Sequence, residues 1–247
     1  MFNYCFGCPA EIFPETAIIT PVLPVKSFKE HCDEAAPFSG RLYSGMMAVK
    51  NGVEFAVIHC GMGDRFMGDA VLLMDIAPVR RIVFAGTCGG LNGCRIGDLI
   101  ACRNAFNGEG FSRYHADSFD MKKVFDTGEL IPAAPAYTES LIGFLSERAP
   151  GGAVFRTGDI FTIGSLMAEE RKNVIGIEEK GFKGIDLELS AVYHAARRIG
   201  REATGLALVS DLPLQRPIWD QPAQKEKNGY GNGLRQLVRF SAEFAVL

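Results

Sequence analysis

The sequence has no uninterrupted apolar stretch approaching the roughly 20 residues that a membrane-spanning helix needs, so nothing in it reads as a bilayer anchor. It also lacks a surplus of either charge. Its 26 Lys and Arg against 29 Asp and Glu give a net charge of −3, which argues against the basic surface that nucleic-acid binding requires. An anionic ligand would have to find a local cluster of cations. The start, Met1-Phe2-Asn3-Tyr4, lacks the basic residues and long apolar core of a secretory signal, so a cytoplasmic location is expected. The histidines are few and scattered, at 31, 59, 115 and 194. Cys5-Phe6-Gly7-Cys8 has the spacing of a metal knuckle, but no second cysteine pair supplies the remaining ligands, and no metal is expected. With an odd total of 7 cysteines, and Cys60, Cys88 and Cys102 in apolar company, the thiols read as buried and reduced. No linker or internal repeat divides the chain, so one α/β domain over residues 1–247 is expected.

What is present is a series of short apolar runs, at 17–20, 55–59, 82–85, 98–102 and 205–210, separated by segments that can hold helices or turns. This spacing predicts a central mixed sheet flanked by helices. Asn51-Gly52 between two such segments predicts a hairpin, because both residues tolerate positive φ. The spacing of Leu189, Val192, Tyr193, Ala196 and Ile199 predicts an amphipathic helix ended by Gly200. A closing helix is expected over 234–247, and 212–232, rich in Pro, Gln, Lys and Gly, reads as a loop or lid.

The most informative stretch is Arg80 to Leu91, where the apolar run Ile82-Val83-Phe84-Ala85 stops in Gly86-Thr87-Cys88-Gly89-Gly90. It reads as a buried strand ending in a turn that lets a ligand approach the main chain, with the Thr87 hydroxyl at the strand end where α/β sheets bind small molecules. Asp211 follows the apolar run Leu206 to Ser210, a position where loss of water raises a carboxyl pKa and suits the group to protonate a leaving group; a turn or capping role is the alternative. Glu188 sits at a strand-to-helix junction and can accept two hydrogen bonds, as from a diol, or serve as a helix-start acid.

Glu188-Leu189-Ser190-Ala191-Val192-Tyr193 followed by Val209-Ser210-Asp211, with 23 positions from Glu188 to Asp211 (211 − 188), resembles the purine nucleoside and uridine phosphorylase family, which includes nucleosidases. Leu187 stands where that family usually has Met. The resemblance implies that Glu188 beside Leu187 binds the ribose hydroxyls, and that Asp211, next to Ser210 at the base, faces the purine N7. Gly86-Thr87-Cys88-Gly89-Gly90 is similar to the family's strand-end loop, which implies phosphate at Thr87 and the base beside Cys88 and Gly89. Gly61-Met62-Gly63 resembles an earlier glycine turn. Arg41, 20 positions before Gly61 (61 − 41), resembles an arginine that reaches a neighbouring subunit's site, which implies a homo-oligomer, a dimer or a trimer of dimers. Pro21 to Lys26 is similar to a phosphate loop with Lys26 in the place of arginine. Asn107 to Tyr114 resembles a Glu-Gly-x-Ser stretch, and Gly158-Asp159-Ile160-Phe161 resembles the segment whose aromatic ring stacks on the base.

The departures concern the acceptor. Phe84 stands where these phosphorylases carry a phosphate-binding arginine, and Val22 replaces a phosphate-loop glycine. Arg65, just after the glycine turn, is a candidate to replace that arginine, or a solvated surface charge. Arg216, Lys225 and Lys227 in the lid are candidates to pair with Asp211. The expectation is phosphorolysis of a purine nucleoside, with inorganic phosphate as co-substrate and no other cofactor. A nucleosidase is one alternative, although the water-activating glutamate of that branch has only Glu11 and Glu15 as nearby candidates. A nucleoside-binding protein without catalysis is the other.

Overall fold

The structure, a computed structural model, describes residues 1–148 and 155–247. The strands are β1 (Thr16–Thr20), β2 (Glu34–Ser39), β3 (Ser44–Lys50), β4 (Val53–His59), β5 (Arg81–Gly90), β6 (Leu99–Gly108), β7 (Leu130–Pro132), β8 (Phe155–Ile163), β9 (Gly184–Asp186) and β10 (Glu202–Asp211). They form one mixed sheet in the order β10-β6-β8-β9-β5-β1-β4-β3-β2, with β7 on β6. The sheet is not open. β10 also pairs with β5, so β5, β10, β6, β8 and β9 close into a ring and leave β1, β4, β3 and β2 as an extension.

The residue pattern explains the layers. β1 is buried at every position, as expected of a central strand covered on both faces. Ala17, Ile19, Ile58, Ile82 and Phe84 fill the core on one side of the sheet, while Ile18, Val57, Val83 and Ala85 fill the other. The first side is covered by the helices Asp64–Leu73 and Leu189–Arg198, the second by Pro135–Arg148 and Gln224–Phe244. The mixed α/β architecture therefore agrees with the apolar spacing. So does the hairpin: β3 and β4 pair antiparallel across Asn51 (φ 51°) and Gly52 (φ 77°).

Three expectations change. The glycines at 86–90 are not a turn; β5 runs on to Gly90, because β9 and β10 pair with this end and supply its backbone hydrogen bonds. The last helix begins at Gln224 rather than near residue 234, so the segment read as a lid shortens. Its first part folds back, with a bridge between Leu212 and Arg216. Among the described residues no helix is long and apolar enough to cross a membrane.

Candidate active site

The C-terminal ends of β5 and β10 meet. Their register advances residue by residue to Val209 opposite Cys88, then slips so that Asp211 stands opposite Gly89. The extra residue is Ser210, and a bulge of this kind bends the strand and re-aims the side chain that follows. The Ser210 hydroxyl lies 3.2 Å from the Cys88 carbonyl and 2.8 Å from Asp211 Oδ1. Asp211 is buried, and burial raises its pKa above the ordinary carboxylate value against the opposing effect of the Ser210 hydroxyl and the Ile218 N–H. Cys88, Gly89, Ser210 and Asp211 are thus brought together as the sequence implied.

Glu188 lies at the other side of this end of the ring. β9 ends at Asp186, and the helix Leu189–Arg198 starts two residues beyond Leu187. Asp186 does the capping: its Oδ2 accepts from the Leu189 N–H at 2.7 Å, and its Oδ1 accepts from the Thr162 hydroxyl at 2.6 Å. This leaves the Glu188 side chain free to reach across to the glycine turn, where Oε1 accepts the Gly63 N–H at 2.8 Å. Gly63 has φ 106°, which a residue with a side chain would adopt only under strain. Burial, then the neighbouring Asp186 charge, push Glu188 up to about 8. Asp186, pushed up mainly by burial, reaches about 7.

Beside Glu188 is a cavity of about 340 Å³, lined by Gly63 and Leu187 and by the apolar side chains of Met62, Phe111, Ile163 and Met167. Its size and mostly apolar wall suit one small organic ligand. Leu187 therefore lines this cavity.

Phe161 does not. Its ring is fully buried and stacks on Phe106 with centroids 5.2 Å apart, with Phe125 and Phe182 packed edge-on against it. Four rings sealing each other leave no face for a base, so Phe161 is a core residue here. Phe111, which is 58% exposed and lines the cavity, is the aromatic ring that can meet a ligand.

The four residues expected at phosphate are not brought together within one chain. Lys26 is exposed on a separate cavity formed with Phe38 and Met46, and Arg65 lies in a groove between the helices Asp64–Leu73 and Leu189–Arg198 with Glu109 and His194. Neither cavity is lined by Thr87, which is half-buried on β5. Arg41 is exposed on the β2–β3 turn, held by its N–H to the Tyr4 carbonyl at 3.0 Å, and points no charge at the site from its own chain. Phe84 is fully buried, and its ring lies so close over Gly86 that a Cβ there would sit 2.4 Å from Cζ. That position holds an apolar ring and no cation.

Other candidates are also redirected. Arg216 faces Glu226, 3.8 Å away, rather than Asp211, and Lys225 and Lys227 belong to the start of the last helix. Glu15 pairs with Arg80 at 3.5 Å, at the N-terminal ends of β1 and β5, the edge opposite the site. Glu11 is exposed on the short turn of helix before β1.

Two acids that the sequence reading passed over join the site. Asp186 could have been found from its i, i+2 relation to Glu188 at a strand end. Glu169 had no such signal, since Glu169-Glu170-Arg171-Lys172 looks like a solvated helix start. In the fold it is half-buried, and loss of water together with the nearby Asp211 and Asp186 charges pushes its carboxyl up to about 8.

Comparison with known proteins agrees with this fold. A family profile described as the phosphorylase superfamily matches residues 19–231. A DeoD-type purine nucleoside phosphorylase of Buchnera aphidicola subsp. Baizongia pistaciae is 22% identical over 170 residues, 68% of this chain, and the chain spans 64% of that relative's length. Among solved structures, uridine phosphorylase from Vibrio fischeri superposes with a TM-score of 0.77 at 19% identity, covering 94% of this chain and 91% of that one. Purine nucleoside phosphorylase from Toxoplasma gondii, in complex with immucillin-H, gives 0.75 at 19% identity, covering 96% and 91%. The 5′-methylthioadenosine/S-adenosyl homocysteine nucleosidase of Campylobacter jejuni gives 0.73 at 14% identity, covering 94% and 97%. At these identities the structural likenesses speak for the fold alone.

Proposed function

This chain belongs to the phosphorylase superfamily, and from that membership we propose that it cleaves the N-glycosidic bond of a purine nucleoside. The observation that carries the reading is the bulge at Ser210, which turns a buried Asp211, its carboxyl raised by burial, to the strand end opposite Gly89. A carboxyl whose proton is held more tightly by burial is suited to give it to N7 as the base leaves, so that the base departs neutral. Glu188 supports the other half of the reaction. The bond breaks with positive charge developing on the ribose ring, by analogy with glycoside cleavage, and the buried Glu188 carboxyl can hold the sugar hydroxyls in place by hydrogen bonds. Leu187, Met62 and Phe111 supply apolar wall around the same cavity.

Phosphate is the acceptor in this reading, with Thr87 as its ligand within the chain and Arg41 as the cation brought by a second copy. The exposed β2–β3 turn that carries Arg41 supports that assignment. Such an enzyme works as a homo-oligomer whose sites lie between copies. Hydrolysis is the second reading, favoured by one specific observation: the buried Phe84 ring removes the place for an additional phosphate cation.

The test is base release from a panel of nucleosides, with and without inorganic phosphate, with the sugar product identified. Ribose 1-phosphate and a phosphate-dependent rate support phosphorolysis. Free ribose at a rate indifferent to phosphate assigns the nucleosidase. Binding of nucleosides with no base released leaves a binding protein and removes the enzymatic reading.

A further inference from the structure

Glu109 belongs to the stretch Asn107 to Tyr114, which the reaction described so far leaves without a task. Its backbone is held firmly. Asn107 Oδ1 accepts the Glu109 N–H at 3.1 Å, and Arg113 Nη1 donates to the Glu109 carbonyl at 3.3 Å. Gly110, at φ 105°, lies so close to Gly164 that a Cβ on Gly164 would sit 2.6 Å from the Gly110 nitrogen. From this fixed backbone the Glu109 side chain reaches the helix Leu189–Arg198, where its Oε1 accepts from the Ser190 hydroxyl. Ser190 is fully buried, and its N–H donates to the Thr162 hydroxyl at 3.0 Å. Thr162 donates in turn to Asp186, whose other oxygen accepts the Leu189 N–H. The first turn of this helix is therefore gripped from β8 through Thr162, from β9 through Asp186, and from the segment after β6 through Glu109. Glu188 stands at its start. Its carbonyl accepts from the Ala191 and Val192 N–H groups at 3.1 and 3.3 Å, and its carboxyl accepts from Gly63.

We propose that Glu109 is a positioning residue for the sugar contact, fixing through Ser190 the helical turn that aims Glu188 at the ribose diol. The proposal rests on the nucleoside-cleaving reading above and adds the residue that orients its sugar ligand. A serine hydroxyl in a helix has a ready alternative partner, the carbonyl four residues back, and bonding to it bends the helix. Here that carbonyl belongs to Asp186, on the other side of Glu188. Glu109 offers the hydroxyl an acceptor outside the helix, and so keeps Ser190 from pulling on the turn. Without Glu109 the buried hydroxyl turns to the Asp186 carbonyl or stays unpaired. Either way the peptide units that carry Glu188 shift. A carboxyl that reads two adjacent hydroxyls tolerates little such movement, because both hydrogen bonds depend on one orientation. Glu109 itself lines the groove with Arg65, Asp69, His194 and Arg198 rather than the cavity beside Glu188, so it acts through another residue and not on the substrate.

The test compares Glu109→Ala and Glu109→Gln in the full chain, with Glu188→Gln as the reference. The readouts are kcat and KM on paired ribosides and 2′-deoxyribosides from pH 6 to 9, and thermal melting. Glu109→Ala is expected to raise KM for ribosides and to lower the preference for them roughly tenfold, with kcat/KM on 2′-deoxyribosides changed less than about twofold. Glu109→Gln keeps an acceptor oxygen for Ser190 and is expected to retain the preference. Adding Ser190→Ala to Glu109→Ala should cost nothing further, because the two residues act through one hydrogen bond. A residue that only stabilised the fold would lower Tm and slow both sugars alike. A folded Glu109→Ala with the wild-type sugar ratio, beside a Glu188→Gln that has lost it, overturns the positioning role and leaves Glu188 its contact. A Glu109→Gln as impaired as Glu109→Ala overturns it too. If Glu188→Gln also keeps the ratio, the sugar contact falls and the positioning role with it. If Glu109→Ala does not fold, Ser190→Ala alone takes its place with the same expectation. If the wild type releases no base yet binds adenosine over 2′-deoxyadenosine, and Glu109→Ala loses that preference, the positioning role stands and the reaction assigned above falls.

Discussion

Replacing Glu188 by Gln removes a titrating carboxyl and almost no volume from a side chain that is 4% exposed. The amide oxygen can keep the Gly63 N–H, now accepted at 2.8 Å, so the glycine turn and the helix start stay in place. The NH2 then occupies the other position and donates where the carboxylate accepted. Above about pH 8, where Glu188 is ionised, a ribose hydroxyl loses a charge-assisted hydrogen bond worth about 1.5–3 kcal/mol, so the preference there for ribosides over 2′-deoxyribosides should fall roughly 10- to 150-fold. Stability supplies a second measurement with a defined sign. A carboxyl raised to about 8 binds its proton more tightly in the folded chain than in the unfolded one. The stabilisation by that proton is complete below the unfolded value near 4.5 and is lost as pH rises through about 8. Gln has no proton to lose. The variant should therefore gain on the wild type between pH 5 and 9, by on the order of 2–5 kcal/mol shared with the coupled Asp186. For a chain of this length that is a rise in relative Tm of roughly 4–20 °C. The assays are kcat/KM on paired ribosides and deoxyribosides, and melting followed across pH. An unchanged sugar ratio together with parallel melting curves would refute both the ribose role and the buried-acid account.

Asp211→Asn should abolish most purine release while leaving the fold intact, because the amide can still accept from the Ser210 hydroxyl; full turnover across pH on adenosine and inosine would remove Asp211 as the acid. Phe84→Arg should lower Tm sharply, since it buries an unpaired cation at a fully buried position. Inorganic phosphate should restore part of that loss, about 2.7 kcal/mol at a hundredfold excess over its Kd, and a Tm indifferent to phosphate would show that this position no longer faces an anion site. Arg41→Ala and Asp211→Asn proteins, each impaired alone, should regain some phosphate-dependent activity when mixed and allowed to exchange subunits. A mixture no better than the sum of its parts would place Arg41 outside the neighbouring site.

Much of the fold was legible because burial on two faces writes itself as apolar runs. β1, β4, β6 and β10 grow out of the runs at 17–20, 55–59, 98–102 and 205–210, and Asn51-Gly52 marks its hairpin through backbone preferences alone. The carboxyls at Glu188 and Asp211 were legible for the same reason, since each interrupts or ends an apolar segment and must be buried with it. Local pattern also set the amphipathic helix from Leu189, whose Arg197 and Arg198 fall in its last turn.

What only the tertiary structure decided depends on which segments meet. Closing β10 onto β5 converts the glycines of 86–90 from a turn into strand, and the bulge at Ser210 arises from the register of that pair. Phe161 is placed at the base by the resemblance, yet Phe106, Phe125 and Phe182 arrive from other elements and bury it. Lys26 and Arg65 lie on separate cavities, because charge spacing along a chain carries no information about distance across it. Glu169 shows the same limit from the other side. Its neighbours in sequence make it look solvated, and only the tertiary fold half-buries it near the charges of Asp211 and Asp186, which lie 42 and 17 positions away (211 − 169 and 186 − 169), and so raises its pKa.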